Sequence, residues 1–229
     1  MTNPQEHDSA LVKTIAVLGG TGKEGSALAH RWALNGYKVI IGSRTAEKAE
    51  TAAAELNEKL GGTYVQGMAN PDAATAAEII VLSVPYSAHQ PTLETVKSQL
   101  SGKILIDITV PIQPPAVSTV SVPEGLSAAQ EAQTLLGEAV KVVSAFQNVS
   151  YIKLKDPDTD VNCDVLVTGD DAEAKAEAIA LVQAAGMRGY DAGPLANAIV
   201  AEALTPVLLY LNKQYKVKGA GIRITGIEE

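Results

Sequence analysis

Residues 14–25 read TIAVLGGTGKEG, in which a short apolar segment runs directly into a glycine-rich turn. The apolar run 14–18 predicts a buried β-strand, and the pattern of residues 25–35 predicts a helix that ends before Gly36. Glycines spaced as G-x-G-x-x-G between a strand and a helix are typical of a turn that binds a dinucleotide. The order strand, turn, helix therefore predicts a nucleotide-binding α/β fold that starts near the N-terminus.

Each glycine of this turn has a predicted role. Gly20 permits a tight bend, Gly22 lets the backbone approach a pyrophosphate, and Gly25 allows the helix to pack closely on the strand. The N-terminus of the helix offers unpaired N–H groups and the positive end of its dipole to the phosphates. The residues expected to contact the cofactor here are Gly20, Thr21, Gly22, Lys23, Glu24 and Gly25.

Apolar runs alternate with Ala-rich helical stretches along the rest of the chain. We expect strands at 14–18, 37–41, 63–66, 79–84, 103–108, 141–145, 165–168 and 188–191. We expect helices at 25–35, 46–60, 89–100, 128–139 and 172–185, with one more starting at Asn70 and a last one after residue 191. This alternation predicts βαβ units and a parallel sheet. Because the strands are continuously apolar, helices should cover both faces, as in a doubly wound Rossmann-type fold.

The end of the second predicted strand indicates which dinucleotide binds. Sites specific for NAD usually carry an acidic residue there, which accepts hydrogen bonds from the ribose 2′-OH. This chain has Ser43 and Arg44 instead, and Lys48 follows one helical turn later. A guanidinium, an ammonium and a hydroxyl suit a 2′-phosphate, so we predict NADP(H). The alternative is that Arg44 and Lys48 only begin a solvated helix.

A change of pattern divides the chain near residue 150. The charged stretch 151–163 interrupts the alternation of strands and helices. We predict a flexible tail at 1–10, an NADP-binding Rossmann domain at 11–150, and a small C-terminal α/β domain at 151–229 that closes the cleft.

Composition excludes several other classes of function. The net charge is −8 and no run of Lys and Arg is visible, which disfavours nucleic acid. No apolar run approaches the roughly 20 residues of a membrane span, and the polar N-terminus lacks the apolar region of a signal peptide. The single Cys163 fits a reducing compartment, so we predict a cytoplasmic protein.

Residues that donate a proton to a substrate are hard to find in this sequence. Ser83, Val84 and Pro85 end the strand at 79–84 and are expected beside the nicotinamide ribose. Of three histidines, only His89 follows such a strand end closely. The lack of an obvious acid favours a reaction that needs only two rings held close together.

Five segments together resemble one known family, the NADP-dependent reductases of coenzyme F420. They are IAVLGGTGKEG, IIGSRTAEKA, VLSVP, KVVSAF and DAGPLANAIVAEALTPVLLYLN, and the resemblance extends from about residue 14 to 213. It implies a Rossmann domain, a small second domain, a homodimer, and a cleft in which nicotinamide and deazaflavin stack for direct hydride transfer. It also implies NADP contacts at Thr21, Gly22, Ser43, Arg44 and Lys48.

The chain departs from this family on the side of the second ring. Gln147, Asn148 and Val149 stand where the family often has His-Thr-Ile, Ile199 and Ala203 replace an expected Arg and Ser, and Thr205 is kept. In the glycine turn, Lys23 and Glu24 replace a polar and an aliphatic residue. We expect the hydride cleft to be lined by Val84, Pro85, Gln147, Val149 and Thr205.

The sequence thus supports one leading hypothesis and two alternatives. The leading one is an oxidoreductase that transfers hydride between NADP(H) and either coenzyme F420 or a flavin, FMN or FAD. The second is a non-catalytic module that binds or senses NADP(H). The third is an NADPH-dependent imine or carbonyl reductase with His89 or Asp107 as proton donor.

Overall fold

The computed structural model describes residues 13–227, so the predicted tail at 1–10 lies outside the described residues. Within this range eight strands form one sheet. The strands are β1 (Thr14–Leu18), β2 (Lys38–Ser43), β3 (Val65–Ala69), β4 (Ile79–Leu82), β5 (Ile104–Asp107), β6 (Lys141–Ser144), β7 (Asp164–Gly169) and β8 (Arg188–Asp191). The α-helices are α1 (Lys23–Leu34), α2 (Ala46–Leu60), α3 (Asn70–Ala76), α4 (Tyr86–Val96), α5 (Ala128–Leu136), α6 (Tyr151–Leu154), α7 (Ala172–Ala184) and α8 (Ala198–Gln214). Short 3₁₀ segments, Lys97–Gln99 and Leu195–Asn197, follow α4 and precede α8.

The strand order β3-β2-β1-β4-β5-β6-β7-β8 is that of a doubly wound sheet with two extra strands at one edge. The first six strands are parallel, which confirms the predicted α/β Rossmann-type class. The two strands that follow residue 150 extend this sheet, and the first of them, β7, runs antiparallel to β6. Parallel neighbours are usually joined by a helix that crosses a face of the sheet, whereas the connection from β6 to β7, residues 145–163, holds only the four-residue helix α6.

The segment after residue 150 is joined to the first part of the chain through this sheet. Val143 and Ser144 of β6 pair with Gly169 and Thr168 of β7, and β8 pairs parallel to β7. The predicted division into two domains at residue 150 stays a prediction.

Helices cover both faces of the sheet and form two buried clusters. Small alanines on α1, α2 and α7 let these helices lie close to the strands. Trp32 and Phe146 are fully buried and meet edge to face, with ring centroids 5.9 Å apart. The indole N–H of Trp32 donates to the Leu181 carbonyl at 2.8 Å, so α1 is held against α7.

The buried guanidinium of Arg31 organises the acidic loop that follows α6. It donates to five carbonyl oxygens, those of Lys153, Leu154, Asp156, Thr159 and Ala185. The part of the charged stretch that follows α6 is therefore a loop anchored to α1.

Several element boundaries differ from the sequence predictions. Helix α1 begins at Lys23 rather than Gly25, and α4 begins at Tyr86 rather than His89. Strand β2 extends to Ser43, and α6 was not predicted. In each case the element starts or ends at the carboxyl edge of the sheet, where tertiary contacts rather than local apolar pattern set the boundary.

One segment of the described chain, Leu195–Gln214, has the length and hydropathy of a membrane span. The segment has 20 residues and contains an 18-residue window with a mean hydropathy of 1.4, of which 33% is buried. The prediction that no apolar run approaches the length of a membrane span is wrong for this segment by length and hydropathy. Core helices of soluble proteins meet the same criterion. Here Glu202 is buried against the start of α5, where it accepts hydrogen bonds from the backbone.

Candidate cofactor site and hydride cleft

The glycine turn between β1 and α1 is built on close contacts to the end of β4. Gly19 has a φ of +75°, and a Cβ there would lie 2.4 Å from the Ser83 carbonyl oxygen. The left-handed residue is therefore Gly19, one position before the Gly20 that the spacing predicts for the bend. Gly20 instead joins the turn to two strands, because its N–H donates to the carbonyl oxygens of Val17 and Gly42. A Cβ on Gly20 would lie 2.7 Å from the Val17 carbonyl oxygen.

Gly25 packs as predicted, and the pyrophosphate role of Gly22 stays a prediction. A Cβ on Gly25 would lie 2.9 Å from Ser83 Oγ and 3.1 Å from Gly20 Cα, so only glycine lets α1 approach the turn and β4. Gly22 precedes α1 and has no side chain to cap the first N–H groups of the helix. Thr21, Gly22 and Lys23 are exposed, so this helix end is open to a ligand.

The three predicted 2′-phosphate residues lie at the carboxyl end of β2, next to the turn. Leu18 of β1 is in register with Gly42 of β2, which places Ser43 and Arg44 beside the glycines. Ser43 is buried, whereas Arg44 and Lys48 are exposed. Within residues 13–227, neither cation forms an ion pair.

Asn70 is a polar residue of this region that the sequence analysis treated only as a helix start. It follows the last residue of β3, is 6% exposed, and its Oδ1 has no hydrogen-bond partner in the described part of the chain. A Cβ on Gly42 would lie 2.7 Å from that oxygen. A buried acceptor without a hydrogen-bond partner usually binds a water, an ion or a ligand. Nothing in the sequence distinguishes Asn70 from an ordinary residue in the first turn of a helix.

A cavity of about 300 Å³ lies between the start of α1, the segment after β6, and α8. We call it the Gln147 cavity. It brings together three predicted cleft residues, Gln147, Val149 and Thr205, with Lys23 and Glu24 of the turn. Its other lining residues are Asn148, Ser150, Tyr151, Ile152, Leu208, Leu209, Asn212 and Ala220.

Not every predicted cleft residue lies on this cavity. Val84 packs against the turn, where its Cγ1 would be 2.6 Å from a Cβ on Gly19, and Pro85 precedes α4. Ile199 and Ala203 are half-buried on α8 and do not line the cavity either.

Gln147 is held by hydrogen bonds on both its side chain and its backbone. Its Nε2 donates to the Asp107 carbonyl at 2.7 Å and to Ser144 Oγ at 2.8 Å. The Thr205 hydroxyl donates to the Gln147 carbonyl at 2.6 Å. The amide is thereby turned toward the ends of β5 and β6, and its Oε1 is buried without a partner in the described residues.

The chain turns sharply just before Gln147. Phe146 has a φ of +72°, a conformation that is strained for a bulky residue. Its ring is fully buried against Trp32, so packing holds it there. Strain of this kind collects at functional sites, and here it places Gln147, Asn148 and Val149 on the cavity wall.

Glu24 and Lys23 border the Gln147 cavity from the turn. Burial raises the pKa of Glu24 to about 8. The Lys23 ammonium lies 5.2 Å from the centre of the Tyr151 ring, within the range of a cation–π contact.

His89 and Asp107, the donors of the third hypothesis, form a separate buried pair. His89 Nε2 lies 2.6 Å from Asp107 Oδ2, and their side chains are 2% and 1% exposed. Burial lowers the pKa of His89, but the charge and hydrogen bond of Asp107 outweigh it, so the pKa lies above its usual value. His89 borders a different cavity of about 600 Å³, which Tyr86 and Glu131 also line.

Glu202 of α8 is a further buried carboxyl, and it was not predicted as a site residue. Its two oxygens accept hydrogen bonds from the N–H groups of Ala128 and Ala129 at 2.8 and 3.1 Å. Burial raises its pKa to about 8, against the lowering effect of those two bonds. Its partners identify it as a cap for α5.

Comparison with known proteins gives matches over most of the chain. Residues 14–111 match the family model described as NADP oxidoreductase, coenzyme F420-dependent. The chain is 45% identical over 223 residues to the F420-dependent NADP reductase of Methanocaldococcus jannaschii, which covers 93% of this chain and 99% of the relative. It is 42% identical over 226 residues to the enzyme of the same name from Methanothermobacter thermautotrophicus, which covers 96% of this chain and 97% of that one.

A solved structure supports the fold alone. The hypothetical protein SMa0349 from Sinorhizobium meliloti superimposes with a TM-score of 0.68 at 21% identity, covering 85% of this chain and 89% of that chain. The sequence relatives go further, because their identity extends across both the turn and α8. The chain therefore belongs to the family of F420-dependent NADP reductases.

Proposed function

We propose that this chain transfers hydride between NADP(H) and coenzyme F420. The observation that carries the proposal is the Gln147 cavity, which joins the cofactor turn to the C-terminal helix of the family. The 45% identity to an F420-dependent NADP reductase over nearly the whole of both chains supports the same activity.

The turn fits the phosphates of NADP(H). Cβ atoms at Gly19, Gly20 and Gly25 would all meet neighbouring atoms at less than 3 Å, so the backbone is packed into one shape that leaves the start of α1 open. The N–H groups of that helix would hold the pyrophosphate, and Arg44 and Lys48 would pair with the 2′-phosphate. Bound there, NADPH supplies the hydride.

Residues of the Gln147 cavity orient the acceptor ring and exclude water. At about 300 Å³ the cavity is at the lower limit for a small-molecule site, which suits a planar ring better than a whole cofactor. Val149, Leu208 and Leu209 supply apolar contacts, while Ser150 and Asn212 supply polar ones. Alignment of two rings at contact distance accounts for most of the rate.

The decisive experiment is NADPH oxidation by the purified chain, with coenzyme F420 and FMN supplied in parallel. We expect turnover with F420, followed at the absorbance of its oxidised ring. Turnover with FMN alone would mean that the changes at Gln147 and Val149 have altered the acceptor. Tight NADPH binding without reduction of either ring would favour the non-catalytic module.

The third hypothesis makes a separate prediction. His89→Gln removes the histidine that borders the cavity lined by Tyr86 and Glu131, and we expect F420 turnover to persist because that cavity is distinct from the Gln147 cavity. Loss of turnover in a folded His89→Gln variant would favour a histidine-dependent mechanism.

We further propose that the chain is a cytoplasmic homodimer. Val200, Val207 and Tyr210 on α8 are 57%, 44% and 53% exposed, and such a row of apolar side chains at helical spacing suits a partner surface. Analytical ultracentrifugation should give twice the chain mass, and Val207→Glu should shift it toward monomer. A wild-type chain that sediments as a monomer would contradict this proposal.

A further inference from the structure

Hydride transfer to a deazaflavin leaves a proton to be accounted for. NADPH, oxidised F420 and one proton give NADP⁺ and F420H2: a C–H bond of the nicotinamide breaks, a C–H bond of the deazaflavin forms, and a ring nitrogen of the deazaflavin takes up the proton. The reverse reaction releases that proton. The following inference rests on the proposed function, which supplies both the hydride donor and the acceptor.

Glu24 is the one carboxyl group among the described residues that line the Gln147 cavity. It is the second residue of α1, so its position is set by the same glycine turn that is proposed to hold NADP(H). Across the cavity lie Gln147 and Thr205, which the family resemblance assigns to the side of the second ring. A carboxyl here stands between the two halves of the site.

Other groups on the cavity are already engaged or are poor proton donors. The Thr205 hydroxyl donates to the Gln147 carbonyl, and both side-chain donors of Gln147 face the sheet. The titratable neighbours of Glu24 on the cavity are Lys23 on its own helix, which lies over the Tyr151 ring, and Tyr151 itself. Helix α8 presents Thr205, Leu208, Leu209 and Asn212, none of which titrates.

The environment of Glu24 suits proton exchange near neutral pH. Its pKa is raised to about 8 by burial, so the carboxyl carries a proton at pH 7 and gives it up within a unit or two of that value. General acids work best when their pKa lies near the working pH.

Glu202 shows why the position matters more than the pKa. It also has a pKa raised to about 8 by burial. Both of its oxygens accept backbone N–H groups of α5, however, and it does not line the Gln147 cavity. Glu24 combines a protonated carboxyl with access to the proposed reacting rings. Glu202 has a protonated carboxyl but no access to those rings.

We propose that Glu24 is the proton donor for the acceptor ring during F420 reduction, and the proton acceptor in the reverse reaction. The Glu24 O–H bond breaks as the N–H bond of the reduced ring forms. The carboxylate then recovers a proton from solvent through the open side of the turn, where Thr21 and Gly22 are exposed.

Glu24→Gln tests this proposal, since the amide has the same shape but no acidic proton. We expect kcat for F420 reduction at pH 7 to fall about 10²-fold, the low end of the usual general-acid contribution. Wild-type kcat should decline above pH 8, and the variant should lose this alkaline limb. In the reverse direction the pH dependence of the wild-type kcat should be opposite, so that F420H2 oxidation becomes faster above pH 8.

Two further measurements separate a proton role from a structural one. Glu24→Gln keeps the size of the side chain and the backbone N–H groups that would hold the pyrophosphate, so the dissociation constant for NADPH, measured by fluorescence, should change less than about threefold. In ligand-free protein labelled at glutamate carboxyl carbons, NMR should show a signal that titrates near pH 8 and is absent from Glu24→Gln. The exposed Glu58→Gln on α2 is the matched control and should leave the pH profile and this signal unchanged.

Wild-type kcat and an unaltered pH profile in Glu24→Gln would overturn the assignment while leaving the proposed function in place. A Glu24 signal that titrates near pH 4 would overturn it as well. If the wild-type chain binds NADPH but does not reduce F420, the proposed function fails and this inference fails with it.

Discussion

The Thr205 hydroxyl lies 2.6 Å from the Gln147 carbonyl oxygen and donates a hydrogen bond to it. The bond joins α8 to the segment that leaves β6, two parts of the chain 58 residues apart. Both residues line the Gln147 cavity, so this bond fixes the width of the proposed acceptor site.

Thr205→Val should weaken the acceptor site without affecting NADPH. It keeps the shape of the side chain but leaves the Gln147 carbonyl without its donor, at a cost of about 1–3 kcal/mol. We expect a higher KM for F420, a lower Tm, and an unchanged NADPH dissociation constant. Thr205→Ser keeps the hydroxyl and serves as the control; equal KM values in the two variants would contradict this role of the bond.

Arg44→Ala should remove the preference for NADPH. A hydrogen bond to a charged group is worth about 1.5–3 kcal/mol, so the NADPH dissociation constant should rise about 10- to 100-fold. NADH lacks the 2′-phosphate, and its dissociation constant should change little. Lys59→Ala removes an exposed cation at the far end of α2 and should affect neither. Equal losses for NADPH and NADH in Arg44→Ala would refute the assignment.

Gly19→Ala should lower the free energy of unfolding by more than the positive φ of Gly19 alone accounts for. Gly19 and Gly102 share a φ of +75°, but only at Gly19 would a Cβ meet other atoms, the closest at 2.4 Å. Gly102→Ala should therefore lose about 1 kcal/mol, and Gly19→Ala about 1–3 kcal/mol more from overpacking. Denaturant unfolding and NADPH titration of both variants will test this. Similar losses of stability would show that the close contact to Ser83 is unimportant.

Glu202 should make the chain less stable as the pH rises from about 4.5 to 8. Its pKa is about 8 in the folded chain against an ordinary value of 4.5, so between these values the folded chain holds a proton that the unfolded chain has lost. The free energy of unfolding therefore falls with pH in this window, by on the order of 4–5 kcal/mol at most.

Glu202→Gln tests this linkage. At pH 5 the free energy of unfolding of Glu202→Gln should be about 1 kcal/mol below that of wild type, because one of the two hydrogen bonds from the backbone is weakened. This difference should become smaller toward pH 8, because only the wild type loses stability as Glu202 ionises. Urea unfolding at pH 5, 6.5 and 8 measures the difference, with the exposed Glu58→Gln as control. A constant difference between Glu202→Gln and wild type across these pH values would rule out a raised pKa for this group.

Local patterns in the sequence determined the first half of the fold. The apolar run 14–18 and the helix 46–60 each specify their structure from neighbouring residues, and the structure has β1 and α2 with those bounds. The sequence predicts Ser43, Arg44 and Lys48 as one group because the end of a parallel strand and the first turn of the next helix adjoin in a βαβ unit. The structure has Ser43 at the end of β2 and Lys48 in the first turn of α2, and their contact with a 2′-phosphate stays a prediction.

Tertiary structure alone decided the features that depend on distant residues. The antiparallel direction of β7 depends on its pairing with β6 across the connection 145–163, and the left-handed Gly19 lies where the Ser83 carbonyl approaches the turn. Neither leaves a local pattern, because the contacting atoms are far apart in the sequence.

The same reason explains which site residues the sequence could place. It named Lys23, Glu24, Gln147, Val149 and Thr205 individually, and only folding brings them onto one cavity. The pKa values of Glu24 and Glu202 likewise depend on burial by other elements, which raises both to about 8. Residue identity sets what each group can do, and the surroundings that the fold supplies set at which pH and toward which neighbour it acts.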